Sequence, residues 1–263
     1  MNKNQLITTT PIEAAIQNLY KENQRLFDFQ PDYNRISNTI QLYENLELFN
    51  NTLLLFYDHK KMRLIYAGAN SAQIIGYTSE ELKNFGFGFY LKVFHPSHLG
   101  FPFRQVRIER KLFPIFKHMS MLDRKVYIGG LKLIHKNGTV FRGFFKTKTI
   151  IVSEDNKPEL SIIQGQDFSH LFKGDSYWIR LSIKNSTYCY VSHSKRKEYK
   201  DLISPKELDV LRLVAQNKST PEIAEQLNLS KQTINTHRKN MIARTGVVNS
   251  TALTHLCKTM EII

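Results

Sequence analysis

The chain has 263 residues, of which 41% are hydrophobic and 23% charged, and this composition excludes an intrinsically disordered protein. Lysine and arginine outnumber aspartate and glutamate by 37 to 23, so the formal net charge is +14. A surplus of this size favours a polyanionic partner, nucleic acid first and an anionic membrane second.

Two further properties of the composition narrow the class of protein. The two cysteines, Cys189 and Cys257, are far apart in the sequence, which argues against a disulfide or zinc framework and fits a reducing compartment. The chain has no run of 18 apolar residues and no apolar segment after its first lysine, so neither a membrane span nor a secretory signal is predicted. We therefore expect a cytoplasmic protein without a membrane partner.

The first third of the chain predicts two helices followed by a pair of strands. Residues 11–30 and 34–50 carry apolar side chains at helical spacing. Residues 52–58 and 62–68 are β-rich runs separated by a polar turn. The stretch "NSAQIIGYTSEEL" (70–82) then predicts a short helix, a glycine turn and a second helix capped by Thr78 or Ser79.

The middle of the chain predicts one long helix and three strands. Residues 98–123 can form a helix that packs on a sheet. The runs "KVYIGGLKLIH", "TVFRGFFKTKTIIV" and "ELSIIQGQDF" predict strands, with an Asn-Gly turn between the first two. Residues 173–201 predict a linker with one more hairpin. The charged run "KRKEYK" (195–200) within it is either solvated or a second contact to a nucleic-acid backbone.

These motifs, in this order, resemble a PAS domain over residues 45–172. "LIYAGANSAQIIGYTSEEL" (64–82) resembles the second strand of that family and the helices after it. "VFHPSHL" (93–99) resembles its loop before the long helix, and residues 135–169 resemble its closing strands. The resemblance implies an antiparallel sheet with flanking helices that senses a signal or dimerises.

The last part of the chain has a helical period from Ile203 onwards. Ser204 is the predicted cap of a first helix, with Pro205 in its first turn and Glu207 completing a capping box. Ser219 or Thr220 is the predicted cap of a second helix. The predicted buried positions are Leu208, Leu211, Val214 and Ala215 in the first helix and Ile223, Ala224 and Leu227 in the second.

A third helix is predicted over residues 230–244, within "LNLSKQTINTHRKNMIARTG" (227–246). Asn228 suits a left-handed turn before it, Leu229 is predicted to fill that turn, and Ser230 and Gly246 are its caps. Its apolar stripe is narrow, consisting of Ile234, Met241 and Ile242 with His237 partly inside. A fourth helix (250–262) follows, capped by Asn249, with Leu253, Leu256, Cys257 and Met260 on one side. A small residue, a tight turn and a polar second helix are typical of a helix-turn-helix that enters the DNA major groove.

Residues 202–260 resemble a LuxR-type helix-turn-helix domain without a gap. The resemblance implies an all-α domain that binds double-stranded promoter DNA as a homodimer, with RNA polymerase as a further candidate partner. Position by position it implies base reading by Asn235, Thr236 and Lys239. It also implies phosphate contacts by Lys218, Ser219, Lys231, Gln232, Thr233 and Arg238. Two positions depart from the family: Asn217 replaces its usual glycine and Asn235 its common lysine, and an asparagine in the groove can read adenine.

Other site chemistries are less well supported by the sequence. His95 and His98 have a spacing that metal ligands can have, and His118 on the long helix could ligate haem, but loop and surface roles explain them better. Neither cysteine falls within the predicted PAS region, which excludes a flavin photosensor that forms a thiol adduct. No catalytic or phosphate-binding motif occurs, so no enzyme, no metal and no cofactor are predicted. The sequence does not decide whether the PAS cavity holds a small ligand.

Taken together, the sequence predicts an α+β fold, with a PAS-like antiparallel sheet and flanking helices followed by an all-α four-helix domain. The expected divisions are a helical segment (1–44), the PAS-like domain (45–172), the linker (173–201) and the DNA-binding domain (202–263). The function expected is that of a one-component bacterial transcription regulator. The alternative is a signalling protein whose main partner is another protein and whose DNA binding is secondary.

Overall fold

The computed structural model describes residues 31–44, 52–86, 88–116 and 118–263. The helix predicted over residues 11–30 and the last six residues of the one predicted over 34–50 lie outside these ranges. The first described helix, α1, spans Tyr33–Glu44. Within the described ranges, no helix is both long and apolar enough to cross a membrane.

Eight strands form one antiparallel sheet in the order β2-β1-β5-β4-β3-β6-β7-β8. The strands are β1 (Leu53–Asp58), β2 (Arg63–Ala67), β3 (Arg124–Ile134), β4 (Val140–Val152), β5 (Pro158–Asp167), β6 (Trp178–Ile183), β7 (Ser186–Val191) and β8 (Glu198–Tyr199). Between β2 and β3 lie α2 (Ser71–Ile75), α3 (Ser79–Asn84), α4 (Gly88–Val93) and α5 (Phe101–Phe116), with 3₁₀ turns at Pro96–His98 and Met121–Asp123. The C-terminal helices are α6 (Pro205–Ala215), α7 (Thr220–Gln226), α8 (Lys231–Thr245) and α9 (Ser250–Thr259). This arrangement confirms the predicted α+β fold class.

The sheet separates two sets of buried side chains, because successive residues of a strand point to opposite faces. On the inner face, Ile128 and Leu131 of β3 pack with α2, α3, α4 and α5. Both reach that face because the β3–β4 register shifts between Gly129 and Leu131. The bulge falls at Gly130, whose φ of 76° suits glycine. The outer face is covered by α1 over β1, β4 and β5, and by the C-terminal helices over β3, β6 and β7.

The segment predicted to be a linker belongs instead to the sheet. The possible extra hairpin is present as β6 and β7, and β6 pairs with β3 along six residues, from Arg124 opposite Ile183 to Gly129 opposite Trp178. This pairing satisfies the backbone groups at the edge of β3, which would otherwise be exposed. Leu202, soon after β8, is already buried with the C-terminal helices. The two domains therefore meet directly.

A tryptophan is the centre of this contact between the domains. Trp178 is completely buried, and its indole Nε1 donates a hydrogen bond to the carbonyl oxygen of Thr245 at 3.0 Å. The backbone joins the domains at the same place, since the amide of Lys173 donates to the carbonyl of Gly246 at 2.8 Å and that of Val248 to Leu171 at 2.9 Å. Buried polar groups need such partners, so this contact fixes the end of α8 on the sheet.

Charged side chains surround the apolar contact. Glu261, after α9, accepts hydrogen bonds from the ammonium groups of Lys146 at 2.5 Å and Lys125 at 2.9 Å. These two lysines lower the pKa of the Glu261 carboxyl to about 2. Arg180 on β6 pairs with Asp201 through Nε at 2.6 Å, just before the C-terminal helices begin. The C-terminal domain is thus tied to the sheet by ion pairs at its beginning and at its end, and these pairs favour one orientation of the domain.

The close packing under Trp178 leads to a test of this contact. A Cβ at Gly129 would lie 2.2 Å from Cζ2 of Trp178, so Gly129→Ala should lower the free energy of unfolding by roughly 1–3 kcal/mol through overpacking. The same change should cost less in a Trp178→Phe background, where the smaller ring leaves room. Denaturant midpoints of the single and double variants measure this coupling.

Gly88→Ala is the matched control. No atom lies within 4 Å of a Cβ built at Gly88, and we expect its effect to stay within about 0.5 kcal/mol. Strictly additive effects of Gly129→Ala and Trp178→Phe would show that the indole does not limit the space at this position.

Candidate nucleic-acid interface

Each of the helices α6 to α8 begins at a serine cap. The side-chain oxygens of Ser204, Ser219 and Ser230 accept hydrogen bonds from backbone amides three residues later. In α6 and α7 the third residue after the cap is a glutamate that bonds back to the serine amide, forming capping boxes. These caps, and the end of α8 at Gly246 with a φ of 71°, confirm the predicted helix limits there. α9 is capped by Asn249 and ends at Thr259, three residues before the predicted end.

Asparagines occupy both the turn that precedes the helix-turn-helix and the turn within it. Asn217, after α6, has a φ of 61°, and Asn228, between α7 and α8, has a φ of 52°. Asparagine tolerates this left-handed conformation, which explains how Asn217 can stand where the family usually has glycine. The prediction that Leu229 fills the second turn is wrong, because its side chain is 38% exposed. The turn is closed by its backbone instead, through a 2.9 Å hydrogen bond from the Leu229 amide to Ala224.

The buried face of α6 differs in part from the predicted one. Leu211 is buried as predicted, but three predicted members are only half-buried: Leu208, Val214 and Ala215. Val210 and Leu213 are buried in their place, and both belong to the core that the C-terminal helices share. In α9 the predicted apolar side is confirmed, since Leu253, Leu256, Cys257 and Met260 are all buried.

Helix α8 presents one polar face to solvent. Its buried residues are Ile234, Met241 and Thr245, and its 15 residues span roughly 22 Å at 1.5 Å per residue. The three residues predicted to read bases are all exposed on the face opposite the core: Asn235, Thr236 and Lys239. The hydroxyl of Thr236 donates to the carbonyl of Gln232 at 2.9 Å, which holds its side chain along the helix.

The predicted phosphate contacts lie near the first turns of α7 and α8. Four of them are exposed: Lys218, Ser219, Lys231 and Gln232. Thr233 is half-buried, with its hydroxyl 2.8 Å from that of Ser230. The two helix N-termini thus bring cations and backbone amides together, an arrangement that favours anions.

Arg238 differs from the other predicted phosphate contacts in its surroundings. It is half-buried, and its Nη1 donates a hydrogen bond to the hydroxyl of Thr220 at 3.1 Å. The guanidinium therefore connects the middle of α8 to the start of α7. It supplements the packing of Ile223 and Ala224 against Ile234 between the same two helices.

A buried ion pair holds the other end of α8. Arg244 donates from Nη2 and Nη1 to the two carboxylate oxygens of Glu207 at 2.7 and 2.8 Å, and from Nη1 also to the carbonyl of Leu202 at 2.7 Å. Burial acts to raise the pKa of Glu207, but hydrogen bonds from Arg244 and Ser204 outweigh it and hold that pKa below its ordinary value of 4.5. Glu207 therefore caps α6 and positions α8 at the same time, a double role that the sequence analysis missed.

The histidines considered as ligands have structural surroundings. His98 is buried; its Nε2 lies 3.0 Å from the carbonyl of Asp175, and its Nδ1 accepts from the Lys132 amide at 2.8 Å. His95 caps a 3₁₀ turn. The placement of His118 on the long helix is wrong, because α5 ends at Phe116. Among the described residues, no group of three or more histidine, cysteine or acidic side chains is arranged to hold a metal.

A cavity of about 140 Å³ lies between the sheet and the α4–α5 segment. Most of its lining is apolar, and polar groups occupy one side. There His59 Nε2 lies 2.8 Å from the Ser161 hydroxyl, and Arg124 donates to Glu109 at 2.8 Å. Burial lowers the pKa of His59 to about 4, so its ring is neutral at physiological pH. The cavity can therefore accept a small, largely apolar molecule that carries a hydrogen-bonding group.

A comparison with protein-family models decides what the C-terminal helices are. Residues 201–257 match the family described as bacterial regulatory proteins of the luxR family. The C-terminal domain is a LuxR-type helix-turn-helix domain. Among curated proteins, this LuxR-type domain is 37% identical over 57 residues to the transcriptional regulatory protein MctR of Rhizobium johnstonii, matching 22% of this chain and 27% of MctR. It is 35% identical over 54 residues to the response regulator UvrY of Escherichia coli, matching 20% of this chain and 25% of UvrY. The chain thus spans about a quarter of the length of these relatives.

Solved structures are similar over more of the chain, at low identity. A Vibrio cholerae VqmA dimer, described as a LuxR-type receptor in the absence of target DNA, is 14% identical; the match covers 85% of this chain and 87% of VqmA, with a TM-score of 0.33. The PAS domain of the fruit-fly ELK potassium channel is also 14% identical; the match covers 51% of this chain and 97% of that domain, with a TM-score of 0.36. At these scores neither likeness carries a conclusion about what this chain binds.

The ion pair between Glu207 and Arg244 predicts a pH-dependent effect. Glu207→Gln should lower the free energy of unfolding by about 1.5–3 kcal/mol at pH 7, the range for hydrogen bonds to charged groups. Because the folded pKa lies below 4.5, the contribution of the carboxylate is complete above pH 4.5 and is lost as the pH falls through the folded pKa. Urea unfolding of both proteins between pH 7 and 3 should therefore show a difference that shrinks on acidification.

Glu222→Gln provides the control, because Glu222 forms the equivalent capping box in α7 but is exposed and has no buried arginine partner. Its effect should be much smaller at every pH. A Glu207→Gln penalty that stays constant down to pH 3 would contradict the role of the carboxylate charge.

Proposed function

We propose that the protein is a sequence-specific, double-stranded-DNA-binding transcriptional regulator of the one-component type. The observation that carries this proposal is the exposed polar face of α8, held in a LuxR-type helix-turn-helix by caps and a buried ion pair. An α-helix fits the major groove, and in this motif the second helix occupies it. The proposal includes no catalytic step.

Binding would divide between two groups of side chains. Lys218, Lys231 and their polar neighbours at the helix N-termini contact phosphates, which supplies affinity for any sequence and makes it fall with salt. Asn235, Thr236 and Lys239 contact base edges. The Asn235 amide is suited to a bidentate contact with adenine, and such a contact contributes about 1–3 kcal/mol of discrimination.

We propose that the protein acts in the bacterial cytoplasm as a homodimer on two half-sites, with RNA polymerase as a partner. The PAS-like domain senses a small molecule in its 140 Å³ cavity or contributes to the dimer. The volume is close to that of an apolar cavity of roughly 150 Å³ known to bind benzene. A single-ring compound is therefore a suitable probe.

Two variants separate the phosphate and base-reading groups. Wild type, Lys231→Gln and Asn235→Ala are each incubated with a randomised duplex library at near-physiological salt, and bound DNA is sequenced. Lys231→Gln should bind all sequences more weakly and select the same motif, because phosphates carry no sequence information. Asn235→Ala should lose its preference at one base pair in each half-site. If Asn235→Ala selects an unchanged motif, the base-reading assignment is wrong, and a wild type that selects no motif contradicts the proposed function.

A cavity-filling variant tests the sensor. Phenol should raise the thermal midpoint of the wild type, since a ligand at ten times its Kd stabilises a protein by about 1.4 kcal/mol. Val106→Phe adds a ring to the lining of the cavity and should abolish the shift. The exposed Val140→Phe should not. Equal shifts in both variants would place the binding of phenol outside the cavity.

A further inference from the structure

A second basic element lies beside the DNA-binding helix. The turn between β7 and β8 carries three consecutive cations, Lys195, Arg196 and Lys197, all of them exposed. The only acidic residue in this charged run, Glu198, pairs with Lys111 of α5 at 2.5 Å. Three positive charges therefore lie next to one another at the protein surface, and such a cluster attracts a polyanion.

The turn has a defined conformation. The amide of Val191 donates to the carbonyl of Lys197 at 2.8 Å, which closes the turn. Ser194 and Tyr199 are joined through their hydroxyl groups at 2.6 Å, and Arg196 Nε donates to the Glu198 carbonyl at 3.0 Å. Side chains on such a turn lose less conformational entropy on binding than they would on a flexible linker.

One aromatic ring connects the turn to α8. The guanidinium of Arg196 lies 5.2 Å from the ring centre of Tyr199, and that of Arg244, in the last turn of α8, lies 5.1 Å from the same ring. Because Arg244 is held by Glu207, the turn has a fixed position relative to the DNA-binding helix.

The turn also lies on the appropriate side of α8. His193 and Ser194 form one wall of an open cleft, and Asn240 and Ala243 form part of the other. Ala243 is four residues after Lys239, so both share one face of the helix. If Lys239 lies in the major groove of a duplex, the phosphate backbone at the edge of that groove would pass this end of α8.

We propose that Lys195, Arg196 and Lys197 bind DNA phosphates that flank the segment read by α8. This inference rests on the proposed function and extends it, because it assigns part of the DNA-binding surface to the sheet domain. The ligand is the phosphodiester backbone, without regard to base sequence. The turn thus acts as a second clamp that the helix-turn-helix alone does not contain.

Salt dependence is the measurement that tests this clamp. The variant Lys195→Gln/Arg196→Gln/Lys197→Gln is compared with the wild type by fluorescence anisotropy, on a duplex with the selected motif and on one of mixed sequence. Each lost phosphate contact lowers the slope of log K against log salt by about 0.9. We therefore expect a decrease of up to about 2.7 on both duplexes. At physiological salt, binding should be roughly tenfold weaker or more.

A second triple variant controls for net charge. Arg63→Gln/Lys83→Gln/Lys92→Gln removes the same charge from exposed positions on β2, α3 and α4, and β2 lies at the opposite edge of the sheet from β8. It should change the slope little. Trimming the flanks of the motif duplex should weaken the wild type and the control but not the turn variant.

Several results would overturn the proposal. Equal slopes for the two triple variants would reduce the turn to a long-range charge effect. Unchanged DNA binding, with loss of binding to vesicles containing phosphatidylserine, would assign the turn to a membrane surface. If the wild type selects no motif, the proposed function fails separately. The slopes on the mixed-sequence duplex then still decide the clamp, because phosphate contacts do not depend on sequence.

Discussion

The contact between Trp178 and the end of α8 is the interaction on which the arrangement of the protein depends. The indole fills the space over Gly129 and donates its hydrogen to Thr245. Without it, the outer face of β3, β6 and β7 would expose aromatic side chains, and the LuxR-type domain would lose the surface against which it packs. The sheet domain and the DNA-binding domain therefore share one hydrophobic core, and the orientation of α8 is set by the sheet.

This shared core brings the cavity close to the DNA-binding helices. Neighbouring residues of β3 face opposite ways: Ile128 lines the cavity, whereas Tyr127 packs towards the C-terminal domain. A single layer of backbone lies between the two. Interfaces of this kind respond to small shifts by changing their packing, since packed cores do not deform continuously. The cavity and the end of α8 are therefore separated by one strand layer and the contact at Trp178.

Local features could be predicted from the sequence, and long-range packing could not. The serine caps, the glycine at the end of α8 and the narrow apolar stripe are set within a few residues, so they appear in the sequence. The error at Leu229 arose because a backbone hydrogen bond closes that turn. The buried face of α6 was predicted in part only, because it depends on packing against residues that are distant in the sequence. The segment 173–201 was interpreted as a linker because its charges predict exposure, whereas β6 pairs with β3 through residues that are 49 to 59 positions apart.

The most direct test of the shared core uses Trp178, the only tryptophan in the chain. Acrylamide quenching of its fluorescence in the full-length native protein reports whether the indole is covered. With the LuxR-type domain seated on the sheet, the account predicts blue-shifted emission and weak quenching that rises only at the unfolding transition. Red-shifted emission and strong quenching under native conditions would contradict it, since they would show that the two domains do not pack together through this residue.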